Sequence, residues 1–156
     1  MSLRDELSLS GLIKHLEADC AAVGPAKMRD ILERLVISAE EMRVYALFSD
    51  KRYARNLVHK TGQFEIMIMC WHAGQRSSIH DHAGSLGGLK ILHGALTESL
   101  FEKAPNGMIK SQTSIDYAAG EARVLRQGQS GDHRVMPVLQ VVGPVDVRRA
   151  FLLRSE

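Results

Sequence analysis

The apolar residues of this chain change their spacing once, near residue 50, and that change constrains the fold more than any other feature. Before it the period is helical. In "SGLIKHLEADCAAV", Leu12, Ile13, Leu16 and Cys20 recur at three- and four-residue intervals. Gly24-Pro25 then closes one helix and opens another, since proline is tolerated only in a helix's first turn. "AKMRDILERLVIS" puts Met28, Ile31, Leu32 and Leu35 on one face, and "SAEEMRVYALFS" begins with Ser38 and Glu41 at capping-box spacing. From residue 53 onward the runs are short, rich in apolar and β-branched residues, and punctuated by Gly, Pro and Asn. They are "QFEIMIMCW", "GGLKILHG", "ALTESLFEK", "SQTSIDYAAG", "EARVLRQ" and "VDVRRAFLLR". A helical layer followed by many short strands predicts an α+β, mainly β fold whose sheet closes as a sandwich or small barrel. One domain over residues 1–156 is expected, with a helical layer to residue 50 and the β-structure from 53 to 156.

Composition removes several function classes. A formal charge of +2 sets up no field suited to nucleic acid or to an anionic membrane. Aromatic residues make up only 5% of the chain, too few for a base-stacking surface. No apolar run approaches the roughly 20 residues of a membrane helix, and the acidic, h-region-free start does not read as a signal peptide. Cys20 and Cys70 form no CxxC pair, which suits a reducing compartment. A cytoplasmic monomer acting on a small molecule, with no nucleic-acid or membrane partner, is the expectation. Cys70, inside "IMIMCWH", is expected to be buried packing, having no cationic neighbour.

The chemistry concentrates in "SSIHDHAGSLGG", residues 77 to 88. On a strand, with its two-residue repeat, His80 and His82 would share a face while Asp81 pointed away. Two imidazoles so placed, among small residues that leave room, could be a pair of cis metal ligands. Two exposed or hydrogen-bonded histidines on a surface strand would show the same pattern. His15, His59, His72 and His93 are each expected to be solvated or locally hydrogen-bonded.

Gly74 lies six positions before His80 and Gly94 twelve after His82, a spacing that resembles the first motif of the cupin superfamily. The glutamate ligand usual four or five positions after the second histidine is replaced by Leu86 and Gly87. "GQSGDHRV" puts His133 in a Gly-rich turn entering a strand, which resembles the second cupin motif and implies three histidine ligands and no carboxylate: His80, His82 and His133. The longer stretch "YARNLV…FEIMIMCWHAGQRSSIHDHAGSLGGLKILHGALTESLFE" resembles the core of cysteine dioxygenase, from about Tyr53 to Phe101 and again at "GDHRV".

That resemblance implies a cupin-type, jelly-roll-like small β-barrel with N-terminal helices, and Fe(II) held by His80, His82 and His133. Three histidines would serve zinc equally well, so iron comes from the family and not from the spacing. The resemblance also implies that Arg55, in the family's YxRNLV motif, grips the substrate carboxylate. Tyr53 offers a hydroxyl to the pocket or packs beside it. The implied reaction takes L-cysteine and O2 to cysteine sulfinic acid. Two departures stand against it. Gly87 replaces the cysteine that crosslinks to tyrosine in the animal enzymes. No histidine or tyrosine follows His133, Pro137 replaces an asparagine, and the family's serine–histidine–tyrosine pattern has no counterpart. An iron-dependent dioxygenase for cysteine or another small thiol is one reading. A non-catalytic cupin that binds a metal or a thiol is the other.

Overall fold

The computed structural model describes residues 5–80, 85–125 and 135–142. Helix α1 (Leu9–Asp19) starts where the Ser8 hydroxyl accepts from the Gly11 N–H, and a 3-10 turn (Cys20–Ala22) continues it. Helix α2 (Pro25–Arg34) has Gly24 as its N-cap and Pro25 in its first turn. Helix α3 (Ala39–Tyr45) carries the expected capping box: Glu41 N–H donates to the Ser38 hydroxyl, and Ser38 N–H donates to the Glu41 carboxylate.

Among the described residues seven strands follow: β1 (Ala54–Lys60), β2 (Glu65–Trp71), β3 (Leu86–His93), β4 (Ala95–Lys103), β5 (Ile109–Ala118), β6 (Ala122–Leu125) and β7 (Val135–Val142). They pair as a five-stranded sheet in the order β1-β2-β7-β3-β6 and a two-stranded β4-β5 sheet. The α+β, mainly β class with N-terminal helices is therefore as expected. Two strands, β1 and β7, were not among the runs read from sequence. "VDVRRAFLLR" lies outside the described residues.

The large sheet has two unlike faces because alternate residues point opposite ways. Ile66, Ile68 and Cys70 of β2, with Leu86 and Leu139, join Leu12, Leu16, Met28, Ile31 and Leu32 in one buried core. The helices lie on this face. Two features of β3 fit it to α2. Gly88 sits so close that an added Cβ would come within 2.6 Å of Leu32 Cδ1 and 2.8 Å of Met28 Cγ. Lys90, 8% exposed, donates from Nζ to the carbonyls of Leu32 and Leu35 at 2.8 and 2.7 Å, and to Glu33 at 3.3 Å. Those carbonyls end α2 and have no intrahelical donor. Burial pushes the Lys90 ammonium down from its ordinary range, and the Glu33 carboxylate opposes the shift.

Gly88→Ala is expected to destabilise the protein by about 1–3 kcal/mol, the usual cost of overpacking a close-packed core. Equilibrium denaturation measures it, and Gly62→Ala, where a Cβ would meet nothing within 4 Å, is the control.

The opposite face carries Arg55 and Leu57 from β1, Met67 and Trp71 from β2, and Leu89 and Ile91 from β3, as the alternation and register require. Across it, Arg123 of β6 pairs with Glu98 of β4 and donates to the Tyr117 hydroxyl of β5, fastening the small sheet to the large one. Burial, and then the Glu121 carboxylate, raise the Tyr117 phenol.

Candidate active site

Arg55 stands on the face away from the helices, because its neighbours Ala54 and Val58 pack toward them and β1 alternates. In register it lies opposite Met69 and diagonal to Met67. Its side chain is exposed, and its Nη2 donates to the Met67 thioether at 3.6 Å. Among the described residues no carboxylate is within ion-pair distance of Arg55.

Tyr53 precedes β1 and stacks on Trp71 at 4.2 Å between ring centroids and 16° between planes. The segment that delivers it is pinned from several sides. Asn56 Nδ2 donates to Leu47 O at 2.9 Å, and Gln75 Nε2 donates to Ser49 O at 2.9 Å. His72 Nε2 meets Asp50 at 3.2 Å, with its ring 5.2 Å from Phe48. Tyr53 is thus packed, and its ring is held beside the face that carries Arg55.

His80 corrects one expectation. It lies on no strand: β2 ends at Trp71, β3 begins at Leu86, and His80 falls in the connection between them. The reason is topological. Strands β2 and β3 both run parallel to β7, so the chain must return the length of the sheet between them, which takes about a dozen residues. Strand periodicity therefore does not orient His80. What does orient it is local: Nδ1 lies 2.7 Å from Ser78 O. A carbonyl only accepts, so Nδ1 carries the proton and the acceptor lone pair of the neutral ring is on Nε2. His82 and His133 lie outside the described residues.

His59 and His72 are locally engaged as expected, whereas His15 is not, since its Nε2 is buried with no hydrogen-bond partner among the described residues. His59 meets Glu17 at 3.1 Å and stacks on Phe64, and His72 is held as above. Cys70 is buried and accepts from Asn56 Nδ2 at 3.4 Å. Burial raises its thiol to about 11, with the Asn56 hydrogen bond acting against the rise, so it remains protonated at neutral pH. Gly87 is tightly packed: a Cβ there would lie 3.2 Å from Leu125 Cβ, so Leu125 would have to give by a few tenths of an ångström to admit one. Sequence reasoning missed Met67 and Trp71 as neighbours of Arg55 and Tyr53. The available signal was the two-residue alternation of "EIMIMCW", which aligns Met67, Met69 and Trp71 on one face.

The sequence matches the family described as cysteine dioxygenase type I over residues 8–141. The chain belongs to the cysteine dioxygenase type I family. Among curated relatives named cysteine dioxygenase type 1, that of Homo sapiens is 40% identical over 111 residues, 69% of this chain and 51% of the relative. That of Bos taurus is 43% identical over 93 residues, 57% of this chain and 46% of the relative. That of Mus musculus is 44% identical over 92 residues, 56% and 46% of the two chains. The chain spans about half the length of these cysteine dioxygenases. The family match covers α1 to β7, so helices, both sheets and Arg55 all lie within it. No helix among the described residues is long and apolar enough to cross a membrane.

The family is one of non-heme iron enzymes, and His80 fits such a metal. A histidine ligand ordinarily donates its second ring N–H to a carbonyl or carboxylate, which fixes the tautomer and the ring orientation. The Nδ1 contact to Ser78 O has that form.

Proposed function

We propose that this protein is an Fe(II)-dependent thiol dioxygenase that converts L-cysteine and O2 to cysteine sulfinic acid. His80, His82 and His133 are the residues that would hold the iron, and Arg55 and Tyr53 the ones that meet the substrate. The observation that carries the reading is Arg55, a guanidinium with no carboxylate partner among the described residues, held by a neutral sulfur within a chain of this family. A small anion with a carboxylate is the natural complement of such a fork.

When bound, the iron supplies the one-electron chemistry that dioxygen needs to react with a closed-shell thiolate. The overall change is balanced without another reductant: the thiol and one O2 give the sulfinic acid, with both oxygen atoms on sulfur. The chain's own residues orient and exclude. Arg55 would take the cysteine carboxylate through two parallel N–H···O bonds, which fixes how far the thiol reaches. Met67, Leu89 and Ile91, buried on the same face, keep water from the underside of the substrate. Tyr53, locked on Trp71, presents a phenol edge to the same pocket.

Oxygen uptake by the Fe(II)-loaded protein on adding L-cysteine tests this. One O2 consumed per cysteine lost is expected; cysteine binding without uptake would leave a thiol-binding cupin. A cytoplasmic monomer remains part of the proposal. Arg55→Ala is expected to raise KM for cysteine by about 100-fold or more, as losing a charge-assisted bidentate contact costs about 3 kcal/mol. Iron content should not change. Steady-state kinetics beside metal analysis separates the two effects, and an unchanged KM would remove Arg55 from the pocket.

A further inference from the structure

Arg55 needs two properties that oppose each other. It must be held in place before substrate arrives, and it must not be neutralised by whatever holds it. A carboxylate would satisfy the first and defeat the second. Met67 offers a different solution. Its thioether, on the strand beside Arg55, accepts from Nη2 at 3.6 Å. Sulfur of this kind is a weak, uncharged acceptor. Met67 is itself 5% exposed, on the face of the sheet that also buries Leu89 and Ile91, so its thioether has little freedom to move. The register places it diagonal to Arg55, one of the positions a long side chain can reach across a pair of strands.

We infer that Met67 is a positioning residue for Arg55: its thioether parks the guanidinium on the sheet in the ligand-free protein and yields it to the substrate carboxylate. The inference rests on the reading of Arg55 as the carboxylate clamp. On binding, a weak N–H···S contact is exchanged for stronger charge-assisted N–H···O contacts, and the side chain is already near its bound geometry. The ordering of one long side chain is then partly met before binding. Selectivity follows. Because Met67 acts through Arg55, it favours thiols that carry a carboxylate and is indifferent to those that do not.

Met67→Leu removes the acceptor at nearly constant volume, a swap that cores tolerate. The test is anaerobic calorimetric titration of the Fe(II)-loaded protein with L-cysteine and with cysteamine, which keeps the thiol and amine and lacks the carboxylate. Met67→Leu is expected to raise Kd for cysteine by about 2- to 10-fold, the equivalent of ordering one side chain, and to leave cysteamine unchanged. In an Arg55→Ala background the same substitution should have no further effect on cysteine. Unchanged cysteine affinity in Met67→Leu, or an equal loss for cysteamine, overturns the inference. If the wild-type protein takes no cysteine, the proposed function fails instead. The parking contact is then read without ligand, from the Met67 methyl resonance in protein with isotope-labelled methionine methyls. Arg55→Ala should shift it; an unmoved resonance overturns the inference.

Discussion

His82→Ala is expected to strip the protein of iron, taking metal content from one per chain to a small fraction and abolishing cysteine oxidation. The reason is the size of the donor set. In the proposed set of three imidazoles and no carboxylate, losing one leaves the metal only two protein ligands. Loss of a mere outer partner of a metal ligand costs about 10–100-fold in affinity, and loss of the ligand itself costs more. The same substitution at His72 is the control. His72 is engaged by Asp50, Phe48 and Gln75 at the end of β2, so His72→Ala should retain its iron. Metal analysis after gel filtration decides. Full iron content in His82→Ala would mean that the ligand assignment is wrong.

The second large effect belongs to the scaffold. Lys90→Met keeps most of the apolar stem and deletes the ammonium, leaving the carbonyls of Leu32 and Leu35 without their buried donor. An orphaned buried acceptor costs about 1–3 kcal/mol, and a cation at a helix C-terminus adds a favourable dipole interaction. The expected loss is about 3 kcal/mol, from the two carbonyls and the dipole together. In a chain of this size that lowers Tm by about 6–12 °C. Thermal unfolding by circular dichroism measures it. The Fe(II) content of the folded protein should stay unchanged, since Lys90 faces the helices and Arg55 lies on the opposite face. A shift below about 2 °C, less than 1 kcal/mol, would mean that water replaces the ammonium at the end of α2.

How much of this was legible in the sequence follows from which forces are local. The capping box of α3, the Gly24-Pro25 break and the buried stripe Met28, Ile31, Leu32 and Leu35 were all readable. Each depends on residues within one or two turns. Most strands were readable from alternation. A strand was expected to begin just after His133, and β7 begins at Val135; its course through Pro137 was not readable, since proline cannot donate to a ladder. It is tolerated because β7 pairs with β2 only from Val138 onward, one position later. The strand reading of His80 failed because parallel pairing is non-local. Nothing near His80 in the sequence reveals that β2 and β3 must both run alongside β7, so that His80 falls between them. The Lys90 contact was hidden for the same reason, since its partners lie 55 to 58 residues away.

For the site, the family resemblance carried Arg55 and the three histidines. The geometry adds what surrounds them: Met67 against the guanidinium, Trp71 against Tyr53, and Ser78 O against His80 Nδ1. Gly87 also has a tight neighbour, since a Cβ there would sit 3.2 Å from Leu125 Cβ.

The most direct test of the central claim is to supply the Fe(II)-loaded protein with L-cysteine under heavy-isotope dioxygen and weigh the product. Cysteine sulfinic acid with both sulfinate oxygens labelled is the expected result. Cystine alone, or a sulfinate whose oxygens come from water, would contradict the dioxygenase reading.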